Sequence, residues 1–305
     1  MQLLRFPQLD PAANLALEEH LFRSRQGAEA QVLLYRNAPC VVVGRNQNPW
    51  TECDVRWLAE QGVPLLRRIS GGGTVWHDPG NLNLSFILPR KEYDPARYLD
   101  VAVSALHDLG IPARRCERQS LWVGDRKVAG SAFSLTGKSA IVHACLLVAA
   151  DLPRLRRSLQ PPDCHIEGRF LPSVPAHVRN LAEIRPGLDC ETLAEALFAA
   201  CRRLLPVAAP AALDSRLDPP AELLAKYRSW EWTYGRTAEF RHVTDTSSIT
   251  VKNGCIAEAT PADTGGRLLG CRYERHAASA ALGEPCPKGW SAMLREIPPS
   301  TPAAD

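Results

Sequence analysis

Three consecutive glycines, Gly71 to Gly73, are the feature that most limits how this chain can fold. Glycine loses more backbone freedom on ordering than any other residue, so three in a row are costly inside a helix or a strand. The triplet follows the strand-like stretch PLLRRIS and precedes TVWHD and a second turn, DPGN. We therefore predict a loop between two strands in which bare backbone has a purpose. A tight turn beside close-packed strands is the alternative.

The order of strand-like and helix-like stretches predicts an α+β protein with mixed sheets and helices. Asp10-Pro11 is a helix cap followed by a proline in the first turn, and an apolar stripe continues from it. Segments 32–36 and 40–45 are predicted to form a buried hairpin around an Asn-Ala-Pro turn. NLNLSFIL alternates as a half-buried strand does. Hairpin turns are predicted at Gly124-Asp125 and Asn253-Gly254.

Composition narrows the class of protein. The 305 residues are long enough for one large domain and a small one. A net charge of +3 is too small to indicate a nucleic-acid or membrane partner, and no apolar run approaches a membrane span. No secretory signal or arginine-rich presequence is recognised at the N-terminus. The ten cysteines include no CxxC pair, so we expect reduced thiols and no metal site.

The residues around the triplet suggest a binding site. A glycine-rich turn exposes backbone N–H groups that can hold a phosphate or an oxyanion, and Arg67 or Arg68 would add positive charge. The pattern is neither GxxxxGK[ST] nor GxGxxG before a helix, so neither a P-loop nor a dinucleotide fold is predicted. Trp76 offers a flat apolar wall that suits an adenylate or a long acyl group.

His77 and Asp78 could be interpreted as a catalytic dyad. Adjacent residues of an extended segment point to opposite faces, however. We therefore favour a structural histidine bonded to backbone.

These motifs resemble the signature of the lipoate-protein ligase and lipoyltransferase family, RR-x-SGGGTV-[aromatic]-HD-x-GN. Further segments follow that family in the same order: VVVGRNQNPWTEC, GDRKVAGSAFS, VHACLLVAADL, SVPAHVRNL and SWEWTYGRTAEF. The resemblance covers nearly the whole chain. Details such as NQNPW favour the animal mitochondrial lipoyltransferase branch.

The resemblance implies a biotin/lipoate-protein ligase-type catalytic core with a small α+β C-terminal domain. Family members bind lipoyl-AMP, a mixed anhydride, and pass its acyl group to a lysine of a lipoyl domain. Lys127 matches the family lysine and would stabilise the charge that develops during the attack. A solvated hairpin lysine is the alternative, but the small residues of VAGSA leave room for a ligand. The residues assigned to lipoyl-AMP binding are Arg68, Ser70, Gly71, Gly72, Gly73, Thr74, Val75, Trp76, His77, Asn81, Arg118, Gly130, Ser131, His143 and Cys145.

Two departures from the family pattern leave the reaction open. Around Arg118, ERQS replaces the bacterial Arg-Asn-Asp pattern, which puts full adenylate formation in doubt; ATP and Mg²⁺ are expected only for a full ligase. Cys145 stands where the family has a hydroxyl. We interpret Cys145 as a small buried residue. The alternative is a thiol that forms an acyl-enzyme, as in related octanoyltransferases that use a cysteine. A non-catalytic module that binds lipoyl domains is a third possibility.

A proline- and alanine-rich connector divides the chain into a catalytic domain, 1–205, and an accessory domain, 220–297, and would act as the hinge between them. The resemblance implies a monomer that acts on lipoyl domains of E2 acyltransferase subunits and on the glycine-cleavage H protein. No nucleic acid or membrane partner is expected. The branch implies a mitochondrial location, and a bacterial chain would be cytoplasmic.

Overall fold

The computed structural model of the protein describes residues 1–24, 29–207, 212–213 and 218–299. The strands are β1 (Gln2–Phe6), β2 (Gln31–Tyr35), β3 (Cys40–Val43), β4 (Leu65–Arg67), β5 (Val75–His77), β6 (Asn81–Pro89), β7 (Ala113–Arg115), β8 (Leu121–Val123), β9 (Arg126–Leu135), β10 (Ser139–Leu147), β11 (His165–Gly168), β12 (Ala212–Leu213), β13 (Phe240–Val243), β14 (Ser248–Lys252) and β15 (Cys255–Thr260). The helices are α1 (Pro11–Arg23), α2 (Pro49–Glu52), α3 (Val55–Glu60), α4 (Pro95–Asp108), α5 (Leu152–Ser158), α6 (Cys190–Leu204), α7 (Ala221–Arg228), α8 (Trp230–Thr233), α9 (Ala262–Gly265), α10 (Arg275–Leu282) and α11 (Ser291–Glu296). This mixture confirms the predicted α+β class.

The strands form three sheets within the described residues. The large sheet has the order β12-β1-β2-β6-β10-β9-β8-β7. It is antiparallel from β2 to β7, and β1 is parallel to both of its neighbours. A small sheet, β4-β3-β5, carries the glycine loop between β4 and β5. A third sheet, β11-β13-β14-β15, lies in the C-terminal part of the molecule.

Strand β6 lies in the middle of the large sheet and is buried on both faces. Leu84 and Phe86 pack with α4 and α6, whereas Ile87 on the opposite face packs with α1. The prediction of a half-buried strand was therefore wrong. Alternation of polar and apolar residues normally marks a solvated face, but here the polar Asn83 and Ser85 are buried as well.

The predicted hairpin of 32–36 and 40–45 is also wrong, because β2 and β3 belong to different sheets. Both edges of β2 are occupied, by β1 and β6, and β3 pairs with β4 and β5. The turn between them is held by Asn37, whose side chain bonds Asn14 and His77. It transfers the chain from one sheet to the next.

Other local predictions are confirmed. Asn253 and Gly254 have φ angles of 50° and 74°, as a tight hairpin turn requires. Gly124 turns the chain between β8 and β9 with φ 58°. The side chain of Asp10 accepts hydrogen bonds from the first backbone N–H groups of α1. Among the described helices, none combines the length and apolar character of a membrane span.

The two sides of the proline- and alanine-rich connector are in extensive contact. Strand β11 precedes the connector in sequence yet pairs with β13, which follows it. Trp50 stacks on Phe240 with ring centroids 5.1 Å apart, and Lys226 of α7 binds Glu19 of α1. Residues 208–211 and 214–217 of the connector lie outside the described residues, as does the tail from 300 to 305. The division into two domains stays a prediction.

Candidate active site

Two neighbouring cavities lie beside the glycine loop. The first has a volume of about 390 Å³ and the second about 340 Å³. Both are lined by Lys127, by the start of β5 and by the extended segment 173–176. Of the predicted site residues, the first cavity is lined by Arg68, Gly72, Gly73, Thr74, Val75, His77, Arg118, Lys127, Gly130, Ser131, His143 and Cys145. Trp76 lines only the second cavity, and Ser70, Gly71 and Asn81 line neither.

Lys127 lies where the two cavities meet, on β9 after the Gly124 turn. Its backbone is fixed on both sides, because its N–H donates to His177 O at 2.9 Å and its carbonyl accepts from Arg179 N at 3.0 Å. Within the described residues no acceptor or carboxylate contacts its Nζ atom. Burial lowers the pKa of this amine. A partly buried cation without a partner is a strong binding site for an anion.

The buried Arg68 side chain holds the glycine loop through hydrogen bonds to its carbonyl oxygens. It is 5% exposed, and its guanidinium donates to Gly71 O at 2.6 Å, to Gly73 O at 2.7 Å and to Val42 O at 3.1 Å. Its Nε donates to Ser70 Oγ at 3.1 Å. These bonds draw the loop carbonyls inward. The predicted contact of Arg68 with a phosphate competes with this use of its donors.

Arg67 is fully buried and faces the other way. Its side chain donates to the carbonyl oxygens of Gly44, Arg45, Gln47 and Thr233 and to Thr237 Oγ1, at 2.8 to 3.1 Å. No carboxylate among the described residues pairs with it. Burial lowers the pKa of Arg67 to about 10. Arg67 therefore links the loop after β3 to the region of α8, and its donors are used there and not for a phosphate.

A buried acid missed by the sequence analysis supports the loop. His143 Nε2 lies 2.7 Å from Ser70 Oγ, and His143 Nδ1 lies 3.2 Å from Glu18 Oε1. Glu18 also accepts from Tyr35 and Ser85. Burial raises the pKa of Glu18, but the His143 imidazole and the hydrogen bonds outweigh it and hold the pKa below its usual value. The chain Glu18, His143, Ser70 and Arg68 thus fixes the loop. Its only sequence signal is an acid within an otherwise apolar helix face.

His77 and Asp78 do not form a dyad. His77 Nδ1 lies 2.9 Å from Asn37 Nδ2, so its partner is a side chain and the predicted backbone bond is wrong. Burial, then Arg68, lowers the pKa of His77 to about 3, which leaves the imidazole neutral. Asp78 instead accepts from Trp76 Nε1 at 2.7 Å. Asn81 Oδ1 accepts from Asp78 N at 2.8 Å, and this bond closes the second turn.

The extended segment 171–178 was not predicted as part of the site. Ser173 Oγ accepts from Thr74 N at 2.9 Å and from Gln47 Nε2 at 3.1 Å, and Ser173 donates to the buried carboxylate of Glu52. The same segment lines both cavities and ends in the backbone bonds to Lys127 described above. It is therefore a wall of the site. The motif SVPAHVRNL was its only sequence signal.

Comparison with known proteins places this geometry in a family. A sequence model of the lipoyl protein ligase A/B catalytic domain matches residues 10–202. The chain belongs to this family. The fold resembles P. falciparum LipL1 in complex with lipoate, with 22% identity, 97% of each chain covered and a TM-score of 0.67. It also resembles the bipartite lipoate protein ligase of Thermoplasma acidophilum, which was analysed together with its E2 lipoyl domain. The identity is 23%, 76% of this chain and 95% of that chain are covered, and the TM-score is 0.65.

A further likeness is to lipoate-protein ligase A bound with ATP, with 23% identity, 76% of this chain and 97% of that chain covered, and a TM-score of 0.65. These likenesses confirm the predicted ligase-type catalytic core. The assignment to the animal mitochondrial branch stays a prediction.

Three further side chains of the lipoyl protein ligase core, Cys116, Arg118 and Cys145, line the first cavity together with Lys127. Burial raises the pKa of the Cys145 thiol to about 12, and Asn81 Nδ2 donates to its sulfur at 3.4 Å. Cys116, which sequence reasoning overlooked, behaves differently: burial raises its pKa, but hydrogen bonds from the backbone of Ser120 and Arg118 lower it by more. The Arg118 side chain is exposed at the first cavity and has no partner among the described residues.

Proposed function

We propose that this protein is a lipoyltransferase, which moves a lipoyl group from lipoyl-AMP or a lipoyl carrier protein to an acceptor lysine. The observation that carries the proposal is the unpartnered Lys127 amine at the junction of two cavities. An acyl adenylate has an apolar arm and a nucleotide arm, joined by an acyl phosphate. With one arm in each cavity, its negative charge lies beside Lys127. Cavities of this size suit a ligand of this class.

The proposed reaction needs no enzyme nucleophile, because a mixed anhydride is already activated. The acceptor amine attacks the acyl carbon, a C–N bond forms, the C–O bond to the phosphate breaks, and AMP leaves with the electron pair. The amine proton passes to solvent. Lys127 stabilises the charge on the carbonyl oxygen and on the departing phosphate. Arg118, free at the cavity mouth, adds a second positive charge.

The cysteine-dependent alternative is less well supported. A thiolate is the reactive form of cysteine, and a pKa of about 12 leaves Cys145 protonated at neutral pH. Its sulfur accepts from Asn81, and no base among the described residues is bonded to it. We therefore expect Cys145→Ser to leave turnover unchanged, with no thioester on the wild-type protein by intact mass.

The decisive experiment supplies lipoyl-AMP and measures lipoylation of an acceptor domain by mass spectrometry. Lys127→Ala should lower the rate by about 10²- to 10³-fold, the usual cost of losing one donor to developing charge. Lys138→Ala, at an exposed lysine of the next hairpin, is the matched control and should equal wild type. A Lys127→Ala rate within a few-fold of wild type would refute the assignment. Product formed from lipoate, ATP and Mg²⁺ would identify a full ligase, whereas binding without product would identify a non-catalytic module.

The acceptors that we propose are lipoyl domains of E2 subunits of 2-oxoacid dehydrogenases and the glycine-cleavage H protein. The Thermoplasma ligase was studied with its E2 lipoyl domain, which supports the first of these. We also propose a monomer and, if the chain belongs to the animal branch, a mitochondrial location. Parallel assays with the two acceptors test the acceptor proposal, and sedimentation of the purified chain tests the monomer.

A further inference from the structure

A cluster of metal-ligating side chains lies outside both cavities. Cys164 directly precedes β11, His242 lies within β13, and Glu296 ends α11. One ligand atom from each of these residues, the sulfur, a ring nitrogen and a carboxylate oxygen, lies within 4.8 Å of the other two. Cys164 is far from His242 and Glu296 in sequence. No CxxC-type spacing could therefore have indicated this group.

The cluster has the supporting shell that a bound metal requires. His242 is fully buried, its Nε2 lies 2.8 Å from Glu296 Oε2, and its Nδ1 lies 2.8 Å from the hydroxyl of Tyr273. The Tyr273 hydroxyl oxygen can accept a hydrogen bond from Nδ1–H, and in that tautomer the Nε2 lone pair is free for a metal. In a tetrahedral zinc site the nitrogen and oxygen ligands are about 3.4 Å apart and the sulfur lies about 3.6 Å from each. Glu296 Oε2, now 2.8 Å from His242 Nε2, would therefore move away from it, and the Cys164 sulfur, now within 4.8 Å of both ligand atoms, would settle at the shorter distance.

We propose that Cys164, His242 and Glu296 bind one zinc ion, with water as the fourth ligand. Cys164 and Glu296 line a small cavity together with Tyr273 and Arg56. The cavity has room for about one atom of the size of a zinc ion. One thiolate and one carboxylate neutralise Zn²⁺, and a sulfur ligand selects zinc over magnesium or calcium. The Arg56 guanidinium opposes the cation, so its removal should strengthen binding.

The position of the site gives zinc a structural role. Cys164 begins the segment that runs through β11 and Phe170, which packs on Phe240, to Ser173 and the backbone bonds with Lys127. Most side chains of this segment are exposed. Its attachment therefore depends on few contacts. Zinc would fasten its first residue to β13 and α11, and so stabilise the wall of both cavities. This goes beyond the proposed transfer reaction.

The test uses the full chain and zinc alone. After chelator treatment, the protein is titrated with Zn²⁺ against a chromophoric chelator, and Co²⁺ is added to look for a thiolate charge-transfer band. We expect one zinc per chain, binding at least about ten-fold weaker in Cys164→Ser and Glu296→Gln, and no cobalt band in Cys164→Ser. Cys271→Ser, at a half-buried cysteine of the same region, should behave as wild type.

Limited proteolysis supplies a second measurement. Zinc should slow cleavage between residues 160 and 178 in the wild type but not in Cys164→Ser, and Arg56→Gln should bind zinc more tightly. Equal zinc affinity in wild type and Cys164→Ser, or no cobalt–thiolate band in the wild type, would overturn the proposal. Neither readout involves lipoyl transfer, so failure of the transferase proposal would leave this result unaffected, and the reverse.

Discussion

The glycine triplet can be tested residue by residue, because the structure makes different demands on its members. Gly72 has a φ of +84°, and a Cβ there would lie 3.0 Å from Arg68 Nη2 and 3.3 Å from Ala132 Cβ. A Cβ on Gly71 would meet nothing within 4 Å, and its φ is not in the left-handed region. The folded protein therefore needs glycine at 72 but not at 71.

We expect Gly72→Ala to lower the free energy of unfolding by about 1 to 3 kcal/mol. The left-handed conformation costs an L-residue about 1–2 kcal/mol, and the rest comes from displacing Arg68, whose Nη2 holds Gly71 O and Gly73 O. Gly71→Ala should stay within about 0.5 kcal/mol of wild type, since alanine restricts the unfolded chain without strain in the folded one. Urea denaturation measures both variants.

Calorimetry with a non-hydrolysable lipoyl-AMP mimic then separates folding from binding. A Gly71→Ala protein with wild-type stability and weakened binding would show that the ligand requires bare backbone at this position. Gly72→Ala should lose both stability and binding. The reasoning is refuted if Gly71→Ala unfolds as readily as Gly72→Ala, because the open space around a Cβ at residue 71 would then not predict stability.

Two further predictions concern buried charges. Arg67→Met removes a donor from the carbonyl oxygens of Gly44, Arg45, Gln47 and Thr233, of which Gly44 O keeps the bond from Gln47 N, so urea denaturation should show a loss of about 3 kcal/mol; a loss below about 1 kcal/mol would contradict this. Glu18, whose folded pKa is lowered, contributes stability that is complete above its unfolded pKa of about 4.3 and is lost as pH falls further. Glu18→Gln should flatten the stability profile below about pH 5, unlike the surface variant Glu222→Gln, and an unchanged profile would contradict this.

Local features of the fold could be predicted from the sequence, because single residues control them. The Asp10 cap and the Asn253-Gly254 turn depend on side chains and φ angles within a few residues. The predicted pairing of β2 with β3 was wrong, because strand pairing depends on which distant strands occupy each edge. The prediction that β6 is only half-buried was wrong for a related reason. The periodicity of a strand does not show that helices cover both of its faces.

The site shows the same division. The glycine loop and Lys127 were found through a motif, and the structure brings them to one pair of cavities. Glu18 was missed, because an acid in a helix gives no indication that a histidine on β10 will face it. The wall 171–178 was missed because its contacts with Lys127 are made by backbone, which carries no residue signature.

The distribution of positive charge explains why one lysine carries the proposed chemistry. Two arginines in front of a glycine loop suggest phosphate ligands, yet burial without a carboxylate partner makes each arginine depend on backbone carbonyls. Their donors are thereby used to shape the loop. Of the lysine and arginine side chains that line the first cavity within the described residues, Lys127 and Arg118 have no hydrogen-bond partner, and of these two Lys127 is the one whose pKa is lowered by burial. Because a desolvated cation gains most from an anion, the ligand's charge should be located from Lys127 and not from the arginines of the motif.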